Sequence, residues 1–466
     1  MSNVKASARA YCSIVLRALL AVLAVSRTAS ADVIPPAPEL PKVLSMDEAL
    51  RIFRARGLDL LIAEAAVQSA EGGVTAAGAV QNPVVSASFQ KNLTWANTFA
   101  GGQDSSKDGA LSVPYGGSIG LTDSAALEDW LSGKRELRLK VARTALAAAK
   151  MSRVDAVRTL TFQVKAAYVQ VAQAQLAFAF AQEVDNSEAT TLKKFQDRYK
   201  GGAVDEGELQ RIEVEKLEAA QALDSAVAAQ RQARAALAFL IGVRGDFREF
   251  DVDTGVLDYS EPNGLHDLSP TGLLRAAFEH RPDLVAAAYQ RSSADAQLDL
   301  VKRQKFPDIT LGVNYTWGGF NGWSVDNSIV SPTLSFSLSA PLPVFYQMQG
   351  EQRQAEAQRD TNKLQHAKVT SQVVNDVVTA EAALEASRKL VLRMEGPRRA
   401  DGGLLESAKG AFDITATQYD KGAASLTDYL DALRTYIATK NEYFGDLASY
   451  WTAVYQLEAA VGKELR

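Results

Sequence analysis

The sequence predicts a mainly α protein with a small β part, built from one unit written twice. Three observations carry this. The two halves repeat at a nearly constant offset, one predicted helix is far longer than a globule needs, and each half holds short segments of period-2 alternation. Residues 49–63 read ALRIFRARGLDLLIA and residues 273–287 read LLRAAFEHRPDLVAA. Leu50, Arg51, Asp59 and Leu60 match Leu274, Arg275, Asp283 and Leu284, an offset of 224 that also carries Pro83 to Pro307. RYKGGAVD (198–205) parallels YDKGAAS (419–425) at an offset of 220, which aligns Gly202 with Gly422 and Gly242 with Gly462. Matches in a fixed order at near-constant spacing mark an internal duplication.

Each unit follows one plan. A short helix and a longer one lead to the proline, Pro83 or Pro307. Two strands follow, predicted at about 83–92 and 115–123 in the first unit and about 307–317 and 331–340 in the second. SFSLSAPL (335–342) puts Phe336 and Leu338 on one side and Ser335, Ser337 and Ser339 on the other, as half-buried strands do. A long helix then runs to a tight turn and another helix returns. The first long helix, about residues 131–198, would span roughly 100 Å at 1.5 Å per residue, so a coiled coil or bundle is expected. Val157, Leu160, Val164, Tyr168 and Val171 step by three and four along it. In the last helix Leu426, Leu430, Leu433, Ile437, Phe444, Leu447, Trp451, Val454 and Val461 hold a near-heptad seam.

Residues 1–31 are predicted to be a secretory signal: Lys5, Arg9 and Arg17, a short apolar core ALLAVLAV (18–25), and small residues Ala29-Ser30-Ala31 before the cut. The single cysteine, Cys12, lies within it, so neither disulfide nor thiolate metal site is expected in the mature chain. Residues 32–44 read as an extended lead-in, 45–242 as the first repeat, 243–268 as an irregular linker and 269–466 as the second repeat, interrupted by GPRRADGG (396–403).

Composition narrows the function. A net charge of −5 with no dense basic stripe argues against nucleic acid. No run in the body reaches the ~20 apolar residues of a spanning helix, so a membrane role must use strands or a surface contact. His266, His280 and His366 are widely separated, and no nucleophile elbow, phosphate loop or metal-ligand spacing accompanies them. The chain is therefore read as no enzyme, with no cofactor and no metal site. Trp95, Tyr115, Tyr315, Trp317, Phe320 and Trp323 gather at strand ends and loops, which suits a membrane-interface girdle or a soluble aromatic core. Asp428 and Asp431 share the face opposite the leucine stripe of YDKGAASLTDYLDAL (419–433); on the residues alone they are a solvated face or a functional pair.

The ordered set ALRIFRARGLDLLIAEA, AVQNPVVSASF and YDKGAASLTDYLDALRTYIATKNEY resembles the TolC-like outer-membrane factors, ducts of efflux and type I secretion systems, over essentially the whole mature chain. The resemblance implies a homotrimer with a hollow α-barrel of long antiparallel coiled-coil helices, and four strands per protomer in a shared 12-stranded outer-membrane β-barrel. It implies a passive exit duct working with a periplasmic membrane-fusion (adaptor) protein and an inner-membrane pump of RND or ABC type. Service to a type I protein secretion system is the alternative; a periplasmic coiled-coil adaptor or scaffold fits less well, because the hairpin occurs twice. By the same resemblance Gly202, Ala203, Gly422 and Ala423 would be adaptor-contacting tips. Asp428 and Asp431 would narrow the lumen, their mutual repulsion raising some pKa values. The family arginine that pairs with them is absent, Ala424 standing in its place, and Glu208 and Arg211 are expected to supply substitute pairs. The style of DYLDALRTYIATKNEYFGDLASYW is similar to the CzcC-like cation-efflux branch.

Overall fold

The computed structural model of the chain describes residues 36, 38, 40–91, 115–123, 132–245, 249–262, 269–318, 332–396 and 402–464. The expected signal segment, Trp95, Trp323, Phe320 and His266 lie outside these residues, as does the side chain of Tyr115.

The first repeat opens with β1 (Val43–Leu44) and α1 (Met46–Arg56). Ser45 caps α1 by accepting the Glu48 N–H, and Asp47 and Glu48 complement the helix dipole. After α2 (Leu58–Gly78), Pro83 directly precedes β2 (Val84–Lys91), which pairs with β3 (Tyr115–Asp123). α3 (Lys134–Lys200) and α4 (Glu206–Leu240) form the first long hairpin. β4 (Asp251–Val252) joins the repeats. The second repeat runs α5 (Pro270–His280), α6 (Pro282–Arg303), β5 (Thr310–Gly318), β6 (Thr333–Ser339), α7 (Gln349–Glu395), α8 (Leu404–Asp420) and α9 (Leu426–Val461). Here Pro307 sits between α6 and β5. The second hairpin is split where the first is continuous: α7 stops at Gly396, whose φ of 89° ends the helix.

The reading of the lead-in as merely extended and of the linker as irregular needs correction. Val43 and Leu44 pair in parallel with Asp251 and Val252, and a 3-10 turn follows at Thr254–Leu257. The Tyr168 hydroxyl of α3 donates to the Leu44 carbonyl at 2.8 Å and accepts the Asp253 N–H at 3.0 Å. Two-residue strands are too short to show alternation, so only tertiary contact reveals them. They cover the main core, where Leu44, Phe53, Tyr168, Leu237, Phe250, Val252, Tyr450, Trp451 and Val454 meet.

The four longer strands form one antiparallel sheet in the order β2-β3-β5-β6. Its register sorts the side chains by row. Val85, Leu121, Val313 and Phe336 lie abreast, as do Ala87, Ile119, Tyr315 and Leu334. The intervening row is Ser86, Gly120, Asn314 and Ser335, and the next is Val84, Thr122, Gly312 and Ser337. One face is thus apolar and the other is mainly serine, threonine, glycine and asparagine. The apolar face is uncovered: Phe336 is 75% and Val85 70% exposed. Both edges, β2 and β6, lack a strand partner among the described residues.

The 67 residues of α3 extend about 100 Å, yet only 11 of them are buried within one chain. A helix so long is held by its neighbours rather than by its own propensity, and most of its surface is left for further partners.

Candidate functional site

Both long hairpins turn at the same end through the same motif. Gly202 and Gly422 adopt φ of 73° and 75°, a left-handed conformation that costs glycine least. Around the first, Gly202 and Ala203 donate to the carbonyls of Tyr199 and Arg198; around the second, Gly422 and Ala423 donate to those of Tyr419 and Gln418. The returning helices also start alike. Asp205 caps α4 by accepting the Glu208 N–H at 2.8 Å, and Ser425 caps α9 by accepting the Asp428 N–H at 3.2 Å.

That start gives Asp428 a local partner. Its Oδ2 accepts from the Ser425 N–H at 3.2 Å and from the Ser425 hydroxyl at 2.7 Å, completing a capping box. The Ser425 hydroxyl, then the Ser425 N–H, hold the Asp428 carboxyl below the usual carboxylate range. Within one chain, hydrogen bonds to the ionised form outweigh desolvation at Asp428. Ser425→Ala should return that carboxyl toward its ordinary range and fray the first turn of α9. Faster amide exchange at residues 426–429 would report it; unchanged exchange would discount the cap.

Asp428 and Asp431 are both exposed. Asp431 lies in an open groove of about 680 Å³ between α4 and α9. Gly207, Gln210, Arg211 and Val214 form one wall, and Thr427, Leu430, Asp431 and Arg434 the other. These are equivalent positions of the two repeats, 220 residues apart. The substitute pairs expected of Glu208 and Arg211 do not form within the chain. Arg211 instead donates to the Thr427 hydroxyl at 3.2 Å. The ion pair that bridges the groove is one that sequence reasoning missed: Arg434 Nη2 lies 2.7 Å from Glu215 and 3.3 Å from Glu218. Its signal was the acidic run EVEKLE (213–218) facing an arginine one turn past Asp431.

Aromatic rings stack behind this groove. Phe195 lies on Tyr419 at 5.9 Å, Tyr419 meets Tyr429 at 5.5 Å, and Phe412 bridges Tyr429 and Tyr436 at 5.9 and 5.7 Å. Phe180 continues the run to Tyr436 at 6.0 Å, with the Lys440 ammonium 4.0 Å from its centroid. Phe412 and Tyr419, like Tyr429 and Tyr436, are seven apart, the heptad signal by which the stack was legible.

A family model described as outer membrane efflux protein matches residues 273–463, the second repeat from α5 to the end of α9. The match places the second repeat in this family. It is 22% identical over 424 residues to the cobalt-zinc-cadmium resistance protein CzcC of Cupriavidus metallidurans, covering 90% of each chain. It is 25% identical over 447 residues to the pyoverdine export outer membrane protein OpmQ of Pseudomonas aeruginosa, covering 91% of this chain and 84% of OpmQ. The crystal structure of VceC from Vibrio cholerae has the same fold, with a TM-score of 0.68, 18% identity, and coverage of 90% of this chain and 97% of that one. In this chain the two-faced sheet exposes the apolar row of Val85, Leu121, Val313 and Phe336. Among the described residues no helix is long and apolar enough to cross a membrane.

Proposed function

We propose that this chain is the outer-membrane exit duct of a tripartite efflux system, a passive conduit for what an inner-membrane pump and a periplasmic adaptor deliver. The observation that carries it is the four-stranded sheet with an apolar face, a polar face and two free edges. In lipid, unpaired backbone N–H and C=O groups cost several kcal/mol each, so only a closed barrel is tolerated. Four strands cannot close a bore of useful width. Three copies, sharing twelve strands, pair β2 of one with β6 of the next and leave no edge. The long hairpins, mostly unburied in one chain, then line up as a hollow stem, and the turns at Gly202, Ala203, Gly422 and Ala423 become the adaptor contacts. Tyr315 and Trp317, stacked at 6.1 Å on the apolar face, support a membrane interface at that end of the sheet.

The same assembly brings the α9 tips of three copies together, and with them Asp428 and Asp431 as a constriction of six carboxylates that attracts cations. Asp428→Ala with Asp431→Ala should raise single-channel conductance and reduce block by divalent cations in planar bilayers. Unchanged conductance would remove the gate assignment.

The cargo is set upstream of the duct. CzcC and OpmQ, named for cobalt-zinc-cadmium resistance and for pyoverdine export, resemble this chain to a similar extent. Among the described residues no group of three or more His, Cys, Asp or Glu side chains is placed to hold a metal ion. Cation efflux, toward which the C-terminal hairpin leans, would be tested by deleting the gene and measuring growth on cobalt, zinc and cadmium salts beside drugs and detergents.

A further inference from the structure

Glu188 is the buried charge of the tip that none of the preceding roles uses. It lies on α3, three turns before the Gly202 turn, and is 1% exposed. Neither carboxyl oxygen has a hydrogen-bond partner. A carboxylate sealed away without a partner is costly, whereas the neutral acid is tolerated.

The cation that faces Glu188 is already committed. From α4, Glu215 and Lys216 face Glu188; Lys216 is paired with Asp185 of α3, and Glu215 with Arg434 of α9. Arg434 also reaches Glu218. From α9, Tyr429 faces Glu188, and its hydroxyl bonds Thr191 of α3. Burial first, then the Glu215 charge, pushes the Glu188 carboxyl up to about 7, with Lys216 partly offsetting them. Burial and the Glu188 charge likewise push the Tyr429 phenol up to about 12.

The seam it occupies is where α9 joins the first hairpin. Beside it Phe195, Ile212, Leu426 and Leu430 form a small apolar cluster separate from the main core. A new charge here has few apolar contacts to overcome.

We propose that Glu188 is a proton-operated latch on the tip: neutral, it seals α9 against α3 and α4, and ionised, it drives the start of α9 away from them. The inference rests on the reading of the tip as the constricted, adaptor-facing end of the duct. It differs from the aspartate constriction in residue, location and trigger, because Glu188 is internal to one chain and answers to protons rather than to metal cations.

The test is hydrogen–deuterium exchange of the full-length assembled protein in lipid nanodiscs, from pH 5.5 to 8.5. Exchange of residues 426–437 is divided by that of residues 450–461 of the same helix, which cancels the intrinsic pH dependence. In the wild type the ratio should rise ~tenfold or more across this range, with a midpoint near 7. Glu188→Gln should hold it at the low-pH value throughout. Glu215→Gln, which removes the neighbouring negative charge and releases Arg434, should move the midpoint to lower pH and keeps the test available if the first variant fails to assemble. A flat wild-type ratio, a Glu188→Gln protein that still responds, or an unmoved midpoint in Glu215→Gln would each overturn the latch. No arm measures conduction, so failure of the aspartate gate, read by conductance and cation block, would be a separate result.

Discussion

Phe336→Arg should keep the protein out of the outer membrane, while Ser337→Arg, one residue on, should leave assembly intact. Phe336 is the central residue of β6, lies abreast of Val313, Leu121 and Val85, and is 75% exposed in the single chain. A lipid-facing arginine at mid-depth of a barrel costs about 2–4 kcal/mol, and three copies would each bear it. Ser337 belongs to the opposite row with Gly312 and Thr122, where a long cation projects into water. Membrane fractionation and the trimer band on a semi-native gel would separate the two variants. Equal behaviour would mean that the two faces of the sheet are not lipid and lumen.

Arg281→Ala should be the most damaging single truncation in the helical body. Arg281 is 2% exposed at the joint between α5 and α6. Its guanidinium forks onto Asp283 at 3.0 and 2.6 Å, reaches Asp376 of α7 at 2.8 Å, and donates to the Ala460 carbonyl of α9 at 3.4 Å. Removing it leaves two carboxylates and a carbonyl without their cation. Breaking a buried pair from one side costs about 3–5 kcal/mol, and the partial exposure of Asp376 places this case at the lower end. Burial of Asp283 opposes its ionisation, but the Arg281 hydrogen bonds and charge outweigh it and hold the carboxyl below the ordinary value. The sign follows from that depression. The pair stabilises the fold above the unfolded carboxylate pKa, and its contribution disappears as pH falls through the lower folded one. Melting of the detergent-solubilised protein should therefore show a large deficit for Arg281→Ala at neutral pH that narrows in acid. A deficit independent of pH would assign the loss to packing alone.

How far the sequence reaches depends on whether a feature is local. Ser335 to Leu338 alternate by twos, so the two-faced sheet was legible before any fold was known. Gly202 and Gly422 announced the turns because left-handed backbone favours glycine. Arg281, by contrast, is followed by Pro282 and Asp283 in a stretch that reads as an ordinary helix start; Asp376 and Ala460 reach it only through tertiary packing. Glu188 sits in NSEATTLKKF, a polar run indistinguishable from a solvated helix face, and its burial is decided by α4 and α9. Asp428 carries a local signal as well: Ser425, three residues before it, is a legible capping box.

The polar rows of the sheet have a consequence for what passes through. From Ser86 and Ser88 to Ser118, Thr122, Asn314, Thr316, Ser335 and Ser337, this wall carries no formal charge and few long side chains. A conduit so lined presents neither an electrostatic barrier nor a well to a permeating ion, and imposes little sieving by size. Cations, anions and bulky neutral molecules should cross that segment with similar ease.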